Sequence, residues 1–120
     1  MSRKLDNLHP DFRPLAVELL ASCVEAGIPV AILDTLRTPQ EQLVLIQRNR
    51  SWTTKSKHLV GKAIDIAPWE EFNRHGPDKF QWDANDPVWQ KIGRIGKRLE
   101  LIWGGDWTKK DMGHFELKED

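Results

Sequence analysis

The sequence predicts an α+β domain in which a small antiparallel sheet is backed by about three helices. Apolar residues recur at helical spacing in three segments, near residues 11–26, 38–48 and 86–99. Short β-branched or alternating segments lie between and after them, and the last two form a hairpin-like end. Helices and short strands in this order are typical of α+β domains.

Composition narrows the classes of protein to be considered. The 120 residues are enough for one core, so residues 1–120 are expected to form a single domain. Eighteen basic and eighteen acidic side chains balance, which argues against a nucleic-acid partner. No apolar run approaches the roughly 20 residues of a membrane span, and the N-terminus lacks the apolar stretch of a secretory signal. A single cysteine excludes an internal disulfide and favours a reducing cytoplasm.

The first helix is expected over residues 11–26, where apolar side chains recur every three or four residues. Asp11 suits its start, and Gly27 suits the position just past its end. Cys23 lies on the apolar stripe and is interpreted as a buried hydrophobic residue. Residues 29–35 are β-branched and apolar, which predicts the first strand.

The second helix has a strong start signal. Thr38 is a good N-cap, Pro39 suits the first helical position, and Glu41 completes a capping box with Thr38. The helix is expected to end near residue 48, where a polar loop begins.

The second strand is expected over residues 62–67, which alternate between two faces. Ile64 and Ile66 share one face, whereas Asp65 lies on the other between two alanines. Residues 68–85 are rich in Pro, Gly, Asn and Asp and predict a long loop, and loops of this length in a small domain are usually functional.

The C-terminal part is expected to contain one helix and two strands. The helix begins at Asp86, and residues 101–103 and 113–117 predict short strands. In the last strand His114 and Glu116 share one face, and the apolar residues next to them share the other.

Three side chains are candidate metal ligands. If the strands that carry Asp65 and His114 pair with their polar faces aligned, both residues point into one cleft, and His58 precedes the first of these strands. Two imidazoles and one carboxylate are a normal set for catalytic zinc, with the fourth position left to water. The alternative is that these histidines are hydrogen-bonded structural residues.

Two further residues are candidates for chemistry. Asp111 stands three residues before His114, where a carboxylate outside the ligand set can move protons. Arg37 follows the first strand and can hold a carboxylate or an oxyanion. The alternatives are a solvated loop aspartate, and a surface arginine paired with Asp34 or Glu41.

Two motifs resemble those of a known family. Residues 56–65 have the form S-x-H-x-x-G-x-A-x-D, and residues 103–116 read W-G-G-D-W followed by D-x-x-H-F-E. With Arg37 and Gln42 they resemble the zinc D-Ala-D-Ala carboxypeptidase and L-alanyl-D-glutamate endopeptidase family, in its small phage endolysin branch. The resemblance covers roughly residues 10–118 and implies the fold shared with the Hedgehog signalling domain, with zinc in the groove of the sheet.

The resemblance also implies a role for each matching residue. His58, Asp65 and His114 would bind the zinc ion, Asp111 would be the catalytic base and acid, and Arg37 would bind and polarise the substrate. Ser56 would position the ligand loop or the substrate. The other candidates for substrate binding are Gln42, Trp103 and Trp107, with buried packing as the alternative for at least one tryptophan.

The activity implied is cleavage of the L-Ala–D-Glu bond in the peptidoglycan stem peptide by a zinc-activated water. One alternative is a D-Ala-D-Ala carboxypeptidase or dipeptidase, and another is a zinc-stabilised wall-binding module without activity. A metal nuclease acting through His58, His75 and His114 is disfavoured by the zero net charge.

The resemblance carries expectations about cellular context as well. A phage enzyme of this kind would collect in the host cytoplasm until the membrane is permeabilised and would then act on the cell wall. We expect a monomer with no nucleic-acid partner and no membrane insertion.

Overall fold

The computed structural model describes residues 2–51, 55–69 and 80–119 and confirms the α+β class. These residues form three α-helices and a four-stranded sheet in which every neighbouring pair of strands is antiparallel. No helix in this part of the chain has the length and apolar character to cross a membrane. The helices are α1 (Arg13–Glu25), α2 (Pro39–Gln47) and α3 (Pro87–Arg98), and the strands are β1 (Val30–Asp34), β2 (Ala63–Pro68), β3 (Ile102–Trp103) and β4 (His114–Glu116).

The order of strands in the sheet is β1-β2-β4-β3, so β2 and β4 are the two central strands. Asp65 lies directly opposite His114 in their register, and Ile64 lies opposite Phe115. Ile64 and Phe115 are fully buried in the core. Because side chains alternate between the faces of a sheet, this register places Asp65 and His114 on the face that the core does not cover.

The hydrophobic core lies between the sheet and helices α1 and α3. Cys23 is buried in it, as the sequence predicts. The other fully buried large residues include Phe12 just before α1, Leu19 on α1, Ile66 on β2 and Ile92 on α3.

Two of the three predicted helix starts are confirmed. The Thr38 hydroxyl accepts a hydrogen bond from the Glu41 backbone N–H, and the Glu41 carboxylate accepts one from the Thr38 N–H, which completes the capping box. The Asp86 side chain caps α3 by accepting from the Val88 N–H at 2.9 Å. Asp11, in contrast, does not cap α1.

The first helix begins two residues later than Asp11 because a turn that ends at the buried Phe12 precedes it. The Asp11 N–H donates to the His9 ring, and Phe12 is buried as the N-cap residue without a side-chain cap. The α-helix then starts at Arg13, whose guanidinium donates to three backbone carbonyls of the preceding segment.

The second strand also extends further than expected. It continues through Pro68, and Trp69 forms an isolated antiparallel bridge with Phe80. Part of the loop predicted over residues 68–85 is therefore β structure, and residues 70–79 lie outside the described residues. Pro68 pairs with Val30 of β1, and just beyond this pair the Trp69 N–H donates to the Pro29 carbonyl. This backbone pairing outweighs the turn-rich composition of the segment.

Helix α3 carries a glycine where it meets the Trp103 ring. A Cβ built on Gly93 would lie 2.6 Å from three atoms of that ring, closer than side chains approach in real structures. The ring cannot move freely, because Trp103 is buried and its Nε1 donates to the Met112 carbonyl at 2.7 Å.

We therefore predict that Gly93→Ala destabilises the protein. In an exposed helix, alanine is about 1 kcal/mol better than glycine, but overpacking a core costs about 1–3 kcal/mol. Urea unfolding of the variant should show a net loss of stability, and the exposed α3 residue Gln90, changed to alanine, is the control. A Gly93→Ala protein more stable than the parent would contradict this packing.

Candidate active site

The three predicted metal ligands meet on the open face of the sheet. Asp65 Oδ1 lies 3.2 Å from His58 Nε2 and 3.0 Å from His114 Nδ1. One ligand atom from each residue lies within 4.8 Å of the other two, and among the described residues this is the group that could hold a metal ion.

The loop that presents His58 is a short 3-10 helix, Lys57–Val60, fixed at both ends. The Ser56 hydroxyl accepts from the His58 N–H at 3.2 Å and so caps the start of this helix. Gly61 ends the helix with φ of 71°, and a Cβ there would lie 2.8 Å from the His9 nitrogen. A glycine is required here by both the backbone angle and the close approach of the N-terminal segment.

The His58 ring is oriented by a backbone carbonyl. Its Nδ1 lies 2.7 Å from the Thr35 oxygen and can only donate to it, which leaves Nε2 as the acceptor nitrogen. The side chain is 2% exposed, and this Nε2 faces Asp65 Oδ1 at 3.2 Å as one acceptor against another, so that it makes no hydrogen bond. A buried polar atom without a partner is unfavourable unless something else binds it, so the orphaned nitrogen is suited to a metal ion.

The two distances from Asp65 to the histidine nitrogens fit zinc. A tetrahedral ion with ligands at about 2.0–2.1 Å separates neighbouring ligand atoms by about 3.3 Å. The spacings of 3.0 and 3.2 Å around Asp65 are close to that value. Two neutral imidazoles and one carboxylate also match the donor types of catalytic zinc sites.

Asp65 and His114, two of the predicted ligands, stabilise each other's charged forms. Burial opposes the charged form of Asp65, but the hydrogen bond from His114 and the nearby His58 ring outweigh it and hold the pKa of Asp65 below its usual range. Burial also opposes protonation of His114, but hydrogen bonds to Asp65 and Glu116 raise the pKa of His114 to about 9.

Asp111 faces the same groove but stands outside the ligand group. Its backbone N–H donates to the Gly104 carbonyl at 3.0 Å, which fixes the loop that carries it. Burial, followed by the charge of Asp65, raises the pKa of Asp111. Asp111 is half-buried in the wall of the groove rather than solvated.

Arg37 is held in the groove wall by two side chains. Its Nε donates to Asp34 Oδ2 at 2.9 Å, its Nη2 also bonds Asp34, and its Nη1 donates to Gln42 Oε1 at 2.7 Å. Its Nη2 lies 3.6 Å from Asp65 Oδ2. The sequence offered pairing with Asp34 as the alternative for a surface arginine, but the pair forms at an arginine only 8% exposed that lines the groove.

Two of the predicted substrate-binding residues lie behind the groove instead of on it. Trp103 packs in the core with Phe115, and Gln42 is buried with its amide bonded to Arg37 and Ser51. Gln42 thus supports the groove wall by holding Arg37. Trp107 does line the groove, with its ring centroid 5.0 Å from that of His114.

The groove has a volume of about 470 Å³, and polar residues outnumber apolar ones among those that line it. Sequence reasoning did not identify Asp34 as a site residue, although its place three positions before Arg37 was the available signal. Arg50 and Lys55 also line the groove and carried no motif that could have revealed them. His75 lies outside the described residues.

Comparison with known proteins agrees with this geometry. A family model described as D-alanyl-D-alanine carboxypeptidase matches residues 49–117, a range that holds His58, Asp65, Asp111 and His114. This match covers more than half of the chain. The chain belongs to this peptidase family.

Two curated relatives share about a third of their aligned residues with this chain. The peptidoglycan L-alanyl-D-glutamate endopeptidase CwlK of Bacillus subtilis is 31% identical over 92% of this chain and 74% of its own length. The L-alanyl-D-glutamate peptidase of Listeria phage A118 is 32% identical over 89% of this chain. The chain spans only 37% of that phage protein's length.

Solved structures confirm the fold. The Serratia marcescens L-Ala D-Glu endopeptidase ChiX superposes with a TM-score of 0.72 at 25% identity, covering 95% of this chain and 83% of ChiX. The vancomycin resistance D,D-pentapeptidase VanY, solved as an E175A mutant with Zn(II), superposes with a TM-score of 0.62. It is 14% identical over 91% of this chain and 71% of VanY, and this likeness shows the fold alone.

We predict that the protein binds one zinc ion per chain and that His58→Ala and His114→Ala each abolish stoichiometric binding. Each change removes one of the three predicted ligands that the described residues bring together. Metal content after gel filtration measures the effect, and His9→Ala is the control because the His9 ring contacts only Asp11 in the described structure. A His114→Ala protein with a full zinc complement would show the ligand assignment to be wrong.

Proposed function

We propose that this protein is a zinc peptidase that cleaves the L-Ala–D-Glu bond of the peptidoglycan stem peptide. The observation that carries the proposal is the pairing of two different features in one groove. His58, Asp65 and His114 form a zinc-competent group, and Asp111 faces it as a half-buried carboxyl outside that group. When bound there, zinc supplies a Lewis acid that activates water and polarises the scissile carbonyl.

Asp111 is assigned as the general base and acid. Its raised pKa favours a carboxyl that takes and returns a proton, because a strongly acidic carboxylate would be a weak base. The loop bond from its N–H to Gly104 holds it at the groove, so the proton acceptor stays in place during turnover.

Arg37 is assigned to substrate binding. Asp34 and Gln42 fix its orientation, and a guanidinium has five N–H donors, more than these two residues use. A guanidinium held in this way is preorganised for a carboxylate or a developing oxyanion. In the stem peptide, the free α-carboxylate of D-Glu lies next to the scissile amide and provides such a group.

The relatives support the choice of bond. CwlK, the phage A118 protein and ChiX are all named for the L-Ala–D-Glu linkage, and this chain matches each of them over most of its length. The family description supports the second candidate, a D-alanyl-D-alanine carboxypeptidase. Arg37 suits either activity, because terminal D-Ala also places a carboxylate beside the amide.

A zinc-stabilised wall-binding module is a weaker candidate. A binding module has no use for a half-buried carboxyl with a raised pKa beside a metal group, nor for an arginine oriented by two buried partners. Both features instead meet requirements of peptide hydrolysis.

The proposal extends to organisation and location. Residues 1–120 act as one catalytic domain and as a monomer. The likeness to the phage A118 protein supports an endolysin-like role in which the protein is made in a bacterial host and reaches the wall after the membrane is permeabilised.

Changing Asp111 to Asn is predicted to reduce turnover by about 10²–10⁴-fold, because the amide keeps the shape but cannot accept the proton. Zinc content should be unchanged, since Asp111 lies outside the ligand group. The rate of muropeptide cleavage and the metal content test this together. Asp106→Asn is the control, because Asp106 is an exposed acid on the neighbouring loop that pairs with Lys97. A near-normal rate in Asp111→Asn would place the base elsewhere.

The bond itself is tested by mass spectrometry of digested, purified peptidoglycan. Cleavage of L-Ala–D-Glu should produce peptides with a new N-terminal D-Glu and leave L-Ala on the glycan, and a zinc chelator should stop both. Release of free D-Ala without peptides beginning at D-Glu would instead support the carboxypeptidase.

A further inference from the structure

The His114 ring is held at both of its nitrogens. Its Nδ1 lies 3.0 Å from Asp65 Oδ1, and its Nε2 lies 2.9 Å from Glu116 Oε1. The ring has little freedom, because the side chain is 7% exposed and the Trp107 ring stands against it. The two nitrogens therefore face two different environments, the zinc-competent group and a single carboxylate.

Glu116 is held in turn by Lys57. The Lys57 ammonium lies 3.3 Å from Glu116 Oε2 and donates to the Leu117 carbonyl at 2.5 Å. Lys57 directly precedes His58 on the 3-10 helix, whereas Glu116 and His114 share one face of β4. The pair thus connects the loop that carries one predicted ligand to the strand that carries another.

The two carboxylate oxygens of Glu116 have different partners. Oε1 accepts from His114, and Oε2 contacts Lys57. A carboxylate engaged at both oxygens has no oxygen left to take a proton in catalysis, so its contacts indicate a different use.

We propose that Glu116, anchored by Lys57, is a positioning residue that holds His114 with Nε2–H donated to the carboxylate and Nδ1 directed to zinc. The Thr35 carbonyl does the equivalent for His58, where it takes Nδ1–H and leaves Nε2 free. The two imidazoles therefore bind through different nitrogens. A carboxylate on the far side of a ligating imidazole fixes the tautomer and raises the basicity of the ligand.

The proposal rests on the zinc site of the proposed function but not on which bond is cut, so the test measures zinc binding. Zinc affinity is obtained by competition with a chromophoric chelator. Loss of such a partner lowers metal affinity by about 10–100-fold, and Glu116→Ala should fall in that range. Glu116→Gln, whose amide oxygen can still accept Nε2–H, should retain more affinity than Glu116→Ala.

Glu119→Gln is the matched control. Glu119 is also an acid near Lys57, at 3.7 Å, and it pairs with Lys62, but it makes no contact with His114 in the described structure. If Glu116 acts through the His114 ring, Glu119→Gln leaves zinc affinity unchanged. If Glu119→Gln and Glu116→Gln weakened zinc binding equally, negative charge near the site would matter and positioning would not. That result would overturn the proposal.

Two further measurements separate positioning from a general structural role. In the metal-free proteins, the thermal unfolding midpoint of Glu116→Gln should stay close to that of the parent. The zinc affinity of Glu116→Ala should in contrast fall clearly below that of the parent. Long-range proton–nitrogen NMR spectra of the zinc-loaded parent should show His114 protonated at Nε2 and His58 protonated at Nδ1. Protonation of His114 at Nδ1, or parental zinc affinity in Glu116→Ala, would refute the inference. Failure of the parent to bind zinc would instead refute the proposed function.

Discussion

The pairing of β2 with β4 is the constraint on which the rest of the site depends. It sets Asp65 opposite His114 on one face and Ile64 opposite Phe115 on the other. A slip of one residue in either strand would turn the apolar residues of that strand towards the groove and its polar ones into the core. The same register therefore selects the fold, through burial of the apolar pair, and assembles the site, through the polar pair.

Given this register, the remaining contacts orient side chains that the sheet has already brought close. The two histidines are held at their far nitrogens, by the Thr35 carbonyl and by Glu116. Asp34 orients Arg37 by accepting a hydrogen bond from its Nε. Asp34 reaches this position because an irregularity near the end of β1 sets it opposite Asp65 in the sheet register. Each holding group is buried or half-buried, where a hydrogen bond is stronger and an unmet one is more costly than in water.

Sequence predicts those features that depend on neighbours along the chain. The capping box at Thr38, the alternation that places Asp65, and both motifs are local patterns, and each led to the observed element or cluster. The positions of Trp103 and Gln42 behind the groove depend on packing between distant segments. The Trp103 ring fits into the core because Gly93 on α3 has no side chain at the point of contact. Gln42 is buried behind Arg37 on the inner face of α2. No spacing along the chain encodes such contacts.

The acids of the groove differ in whether a described residue bonds their carboxyl group. Asp34 is bonded to Arg37, Glu116 contacts Lys57 and His114, and Asp65 lies between the two predicted histidine ligands. No described residue makes a hydrogen bond or an ion pair with the carboxyl of Asp111, whose pKa moves upward while those of Asp65 and Glu116 move downward. Burial raises a carboxyl pKa unless specific partners outweigh it, and it also raises the pKa of Asp34 despite the bond to Arg37. The proposed proton transfer therefore rests on the carboxyl of Asp111 having no bonded partner among the described residues, which leaves it open to a substrate, whereas the paired acids hold their neighbours in place.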